Sequence, residues 1–104
     1  MSFISARRRL VDAIFRKLGE DAAWAGVQLP VRVILREQND DVQMGDSRII
    51  GMARFVRVRR SEVLSPSEGD IVEPAESGSK YRVIGEPMLD RRAVWLCEVT
   101  RLAI

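Results

Sequence analysis

The sequence predicts a mainly β (α+β) fold: a small antiparallel β barrel or sandwich with an N-terminal α-helix. Three observations carry this. The second half alternates short β-prone runs with turns rich in Gly, Pro, Ser and Asp; the runs include Phe55-Val56-Arg57-Val58, Ile71-Val72, Tyr81-Arg82-Val83-Ile84 and Val94-Trp95-Leu96-Cys97-Glu98-Val99. Residues 3–18 instead place apolar side chains at helical spacing. At 104 residues the chain reads as a single domain, 1–104, able to bury one modest core. Within it a helical segment covers 1–19 and the barrel covers 22–104.

The helix has Ser2 as its N-cap, Arg16 and Lys17 in its last turn where positive charge suits the dipole, and Gly19 as the residue that ends it. At about 100° per residue, Phe3, Ile4, Leu10, Val11, Ile14, Phe15 and Leu18 form one broad arc. Arg7 falls inside that arc, which implies either a side chain snorkelling past the core or a first turn that meets a partner.

Residues 20–30 read as a connector entering a strand. Val27, Leu29, Val31, Val33 and Leu35 then alternate with their neighbours at period two, and Pro30 marks an edge or a break. Residues 37–47 (EQNDDVQMGDS) are polar and lack any period, so they read as a mobile loop that either stays solvated or orders against a partner. Ile49 to Arg60 follows as one long strand or two shorter ones, with a bulge expected at Gly51. Arg54, Val56, Val58 and Arg60 share one face, and Phe55, Arg57 and Arg59 the other. Residues 61–68 form a turn, Ile71-Val72 a short strand, and 74–79 a loop. Tyr81 to Ile84 is a strand, 86–92 a turn, and 93–102 the last strand. Apolar residues on both faces of that strand suggest a central position or cover from the helix.

Chemistry is narrowed by what is missing. The chain has no histidine and one cysteine, Cys97. Ser/His/Asp and Cys/His catalysis, Cys/His zinc sites and an internal disulfide are therefore excluded. A single thiol fits an intracellular origin. Arg7-Arg8-Arg9 has no apolar run behind it, so it does not read as a secretory signal, and no apolar run is long enough to span a membrane. Asp40, Asp41 and Asp46 lack the alternating ligands, central Gly and terminal Glu of a calcium loop. No phosphate-binding Gly-rich run exists, and no spacing pairs an acid with a base. We therefore expect no enzyme, no cofactor and no metal. Cys97 alternates along a strand and reads as a buried structural thiol.

Net charge is only +2, but the basic residues are 15 Arg against 2 Lys. A GC-rich genome produces that bias; so does an interface of guanidinium forks. The group Arg54, Arg57, Arg59 and Arg60 raises an alternative function, a small β-barrel nucleic-acid-binding protein. It is weakened by the scarcity of aromatic residues to spare for base stacking.

One ordered set of motifs runs through residues 50–100: Phe55-Val56-Arg57, Ser61-Glu62-Val63, Gly69-Asp70, Tyr81-Arg82-Val83, Asp90 and Trp95-Leu96. This order resembles the head–tail joining (head-completion, connector) proteins of lambda-like siphophages and related prophages. The longer turn before Tyr81, with Pro74 and Ser77-Gly78-Ser79, departs from their pattern. The resemblance implies a virion structural protein, present in the host cytoplasm before assembly. It would join the DNA-filled head, through portal or connector proteins, to tail proteins, and self-associate into a ring. DNA contact is compatible with that role without being required, and no membrane is involved. Together with the residue pattern it points to partner contacts at Arg7, at Asn39, Asp40, Asp41, Val42, Gln43 and Met44, and at Arg54, Arg57 and Arg59.

Overall fold

The period-two apolar pattern of the second half closes a sheet on itself. The computed structural model describes the backbone of residues 3–44 and 47–102, and the side chains of 5–37 and 53–102. Helix α1 (Phe3–Leu18) precedes strands β1 (Glu20–Trp24), β2 (Val31–Met44), β3 (Ser47–Arg59), β4 (Ile71–Pro74), β5 (Tyr81–Leu89) and β6 (Val94–Arg101). Every neighbouring pair is antiparallel, and the order β1-β2-β3-β6-β5-β4 forms a closed barrel. Closure leaves no open sheet edge in the barrel wall. The expected fold class is the one observed.

Inside the barrel, Val33, Val56, Val58, Val72 and Cys97 are fully buried, with Trp24, Tyr81, Val83 and Val99 packed around them. Valine dominates because a branched, stiff side chain packs well on a pleated surface. A second cluster lies outside the wall, where Val11 and Phe15 of α1 cover Ile34 and Val94. The last strand therefore has apolar residues on both faces for a physical reason: Cys97 and Val99 face the barrel core, and Val94 faces the helix.

Long-range polar contacts fix the helix on this wall. Gly19 ends α1, its amide donating to the Phe15 carbonyl at 2.9 Å, and a Cβ there would collide with that same oxygen. Arg32 then caps the helix C-terminus. Its Nε and Nη2 donate to the carbonyls of Phe15 and Arg16 at 3.2 and 3.1 Å, so the Phe15 carbonyl accepts a second bond beside that of Gly19 and the positive charge sits at the negative end of the helix. Its Nη1 pairs with Asp21 at 3.1 Å. Arg59 holds the middle of the helix, pairing with Asp12 at 2.8 Å and Glu62 at 3.0 Å and lying 5.1 Å from the centre of the Phe15 ring. Glu62 also accepts the Arg32 amide at 3.2 Å. Two of the arginines, Arg32 and Arg59, are thus used inside the molecule.

Several expectations are corrected. Residues 20–24 are a strand, not a connector: Ala22 and Trp24 alternate inward, but alanine carries little β signal. Residues 37–44 are not the start of a loop; they continue β2, and Ser47 already belongs to β3. The pairing is regular from Val33↔Val58 to Met44↔Ser47, including Asp40↔Gly51, so Gly51 marks no bulge. The irregularity lies instead between Ile84 and Met88, where Gly85 takes a positive φ of 71°. Strand β5 consequently extends to Leu89, shortening the expected turn to residues 90–93. There Asp90 accepts the amides of Arg92 and Val94 at 2.7 and 3.1 Å. The apolar arc of α1 is wider than its contact: Leu10 and Leu18 remain exposed. The cap assigned to Ser2 lies outside the described residues.

Candidate assembly interface

The barrel has two distinct mouths. Strands β1 and β3 run in the same direction, because each is antiparallel to β2. Glu20 and Arg54 therefore mark one mouth, and Trp24 and Arg59 the other.

At the first mouth the β2–β3 ribbon leaves the barrel. Strand β1 pairs with β2 only as far as Val33, and β6 pairs with β3 only over Arg54–Arg59. From Gln38↔Ala53 to Met44↔Ser47 the two strands pair with each other alone among the described residues. This arm of seven residues per strand is roughly 23 Å long at ~3.3 Å per residue, in a molecule measuring 55 × 32 × 23 Å. Its root is fixed where Glu37 faces Arg54, with an ion pair of 2.9 Å. A two-stranded ribbon carries backbone donors and acceptors along both free edges, which is how one chain adds to the sheet of another.

The expected contact residues divide between the two ends. Asn39, Asp40, Asp41, Val42, Gln43 and Met44 all lie on the arm. Arg54 sits at its root, bound to Glu37. Arg57 is exposed on the outer wall beside α1. Arg59 is committed to Asp12, Glu62 and Phe15. Arg7 lies at the second mouth, where its Nη1 donates to the Arg91 carbonyl at 3.4 Å. The structure does not unite these residues into one patch. It brings together a set that the sequence reading left out. Arg8, Arg60, Arg91 and Arg92 join Arg7 around a hollow of about 550 Å³, with Leu64 on its rim. In the sequence these arginines fall in three separate places, the run Arg7-Arg8-Arg9, the group that includes Arg60, and the Arg91-Arg92 pair, which reads as an ordinary hairpin turn.

Both signs of charge meet at the first mouth, where Glu73 in β4 and Glu76 just after it lie on the same side as Arg54, Lys80 and Arg101. Glu73 and Glu76 are exposed, and Glu20 lies at the start of β1. The Oε1 of Glu20 is shielded from solvent without a hydrogen-bond partner. Burial raises its pKa above the ordinary 4.5, the Glu76 carboxylate raises it further, and Arg32 pulls it back. An ionised Glu20 thus weighs against folding; the stability available below pH 4.5 is lost as pH rises through its folded value. Glu20→Gln should melt higher than the wild-type chain near neutral pH, and the gain should vanish below pH 4.5. Parallel melts across that range check it, and a gain that persists in acid would point to another cause.

Chemistry at the Cys97 thiol is suppressed. Burial, then Asp70, pushes the Cys97 thiol up to about 12, so the nucleophilic thiolate is scarce near neutrality. Asp70 itself is structural: Oδ2 accepts the buried Trp24 indole at 3.1 Å and the Ser67 amide at 2.9 Å. No helix among the described residues is long and apolar enough to cross a membrane.

A sheet closed into a self-contained barrel, with a projecting arm and charged ends, suits a structural component. Comparison with protein families agrees, since the family model described as Phage Head-Tail Attachment protein matches residues 3–99. The chain belongs to the phage head–tail attachment family. The match includes α1, the arm and almost the whole barrel. No curated protein sequence matches this chain. As a head–tail attachment protein it is a virion structural component that takes part in joining head to tail, and that role brings it against head and tail proteins.

Proposed function

We propose that this attachment protein adds to the portal or connector of a DNA-filled head and presents the surface on which the tail docks. Copies made in the host cytoplasm self-associate into a ring as they add. The barrel supplies rigidity, and the arm supplies reach. Residues 39–44, with Arg7 and Arg57, meet neighbouring subunits, portal or tail; Arg54 and Arg59 serve that contact by holding the arm root and the helix in place.

The observation that carries this reading is the arm. A ribbon whose two edges have no partner strand beyond its root among the described residues serves the barrel's own stability little. Its free backbone groups suit strand addition, and a partner sheet laid against either edge would satisfy a row of them at once.

Particles assembled without the chain test the reading. Negative-stain images should show full heads beside unattached tails, and adding the purified wild-type chain should produce joined particles. Joined particles formed in its absence would overturn the proposal.

A further inference from the structure

We propose that the arginine-lined hollow at the second mouth binds the phosphate backbone of duplex DNA. This goes beyond the joining role and does not depend on which portal or tail surface the chain meets.

The hollow is short of counter-charge. Among the described residues, Arg8, Arg60, Arg91 and Arg92 make no ion pair. The carboxylates closest to them in the fold are engaged with other groups. Asp12, which lines the hollow, holds Arg59. Glu62 holds Arg59 and the Arg32 amide. Asp90 accepts the amides of Arg92 and Val94. Glu68 and Asp70 lie where the loop returns to β4, with Asp70 against Val83 of β5, and neither lines the hollow. Guanidinium groups gathered without partners repel one another, and phosphate oxygens accept their forked N–H groups bidentately.

The positive surface is longer than one small anion. Arg92 also lines an adjoining hollow on the outer wall, together with Arg57 and Arg36. Arg36 faces Phe55 in the β2–β3 pairing, five residues before Arg60. At ~3.3 Å per residue that makes a track of roughly 17 Å. Phosphates follow one another every ~3.4 Å of helix axis along each DNA strand, so the track runs past several of them. Asp90 and, opposite Phe55, Glu98 are the carboxylates beside it. Against Arg36, Arg57, Arg60, Arg91 and Arg92 they leave it positive.

The same surface favours a duplex backbone over other polyanions. Single strands are held by aromatic side chains on which bases stack. Among the described side chains Phe15, Trp24 and Tyr81 are buried, and Phe55 and Trp95 are half-buried. Charge alone is left, and charge reads phosphates without regard to sequence. A protein contact is centred on apolar area. Among the described residues lining the hollow, Leu64 alone is large, apolar and exposed, and it stands on the rim.

Titration of the purified full chain into a short labelled duplex of mixed sequence, read by fluorescence anisotropy, tests this. The wild-type chain should bind in low-salt buffer. Its log affinity should fall linearly with log salt, by about 0.9 for each phosphate contacted. A variant carrying Arg60→Glu, Arg91→Glu and Arg92→Glu should bind about tenfold or more weakly, with a shallower salt slope. A control carrying Lys80→Glu, Arg82→Glu and Arg101→Glu changes the net charge equally, away from the hollow, and should keep most of the affinity. All six positions are exposed, and melting curves check that both variants fold. The milder Arg60→Gln, Arg91→Gln and Arg92→Gln chain should lose affinity in the same direction and serves if the reversal does not fold. No binding at low salt, a hollow variant that binds like wild type, or equal losses in hollow variant and control would each overturn the inference. Polyglutamate that displaces the duplex at matched charge would assign the arginines to a protein's carboxylates. A free nucleoside triphosphate that binds as tightly as the duplex would assign them to a single small anion. Either result would also overturn it. The titration uses no phage particles, so its outcome is separate from that of the head–tail joining role.

Discussion

Replacing Arg59 by methionine is expected to lower the melting temperature by roughly 8–16 °C, corresponding to about 2 kcal/mol for a domain of this size. The side chain ties α1 to the end of β3 and the turn that follows it. It pairs with Asp12 in α1 and with Glu62 after β3, and its guanidinium faces the Phe15 ring. Its side chain is only 20% exposed, so these contacts are less screened than those of a surface pair. Methionine keeps most of the aliphatic stem and the cover over Phe15 but removes every charge-assisted bond. Asp12, 41% exposed, can return to water; Glu62 keeps the Arg32 amide. The loss should therefore fall on the helix. Amide exchange in α1 should speed up well before exchange in β3 or β6, while the barrel core stays protected. Thermal melts and exchange read the two effects separately, and an unchanged melt would show that the outer cluster of Val11, Phe15, Ile34 and Val94 holds α1 unaided.

The largest functional effect is expected from shortening the arm. Residues 40–51 can be replaced by Asn-Gly, so that Asn39 and Met52, already paired, flank a two-residue turn. The fold should survive, because no described strand other than its own partner pairs with the arm beyond its root. The Glu37–Arg54 ion pair at the root and the whole barrel core remain. Circular dichroism and a melting temperature close to that of the intact chain check that half of the expectation. Head–tail joining should be lost, because the shortened chain keeps its rigid body but not its reach.

How much of this could be read in advance depended on whether a residue's environment was local. Val56, Val58, Val83, Cys97 and Val99 were legible as strand residues and Cys97 as a buried one, because alternation along a strand is a local pattern. The arm was not. A two-stranded ribbon outside the barrel has no core face to fill, so Glu37–Met44 show no apolar period and resemble a loop. Strand β1 was hidden by Ala22 and Ala23. The bulge fell at Gly85, not Gly51, because a bulge depends on the partner's register rather than on glycine alone. Leu10 belongs to the helix's apolar arc, yet the barrel wall covers only the stripe through Val11 and Phe15.

The candidate interface divides along the same line. The ordered motifs from Phe55-Val56-Arg57 to Trp95-Leu96 were enough to indicate the family, and the match over residues 3–99 bears that out. What each arginine does was not legible. Arg32 and Arg59 resemble any surface arginine until the fold sets them against Phe15, Arg16 and Asp12. Arg91 stands 84 positions from Arg7, and only barrel closure and helix docking place both beside one hollow.

The most direct test of the central claim, that the barrel stands alone while the arm makes the join, is a count of joined particles. Heads and tails assembled without the chain are supplied either with the wild-type protein or with the arm-shortened one, and scored by electron microscopy. The account predicts joined particles with the wild type and none above background with the shortened, fully folded chain. Equal numbers with both proteins would contradict it.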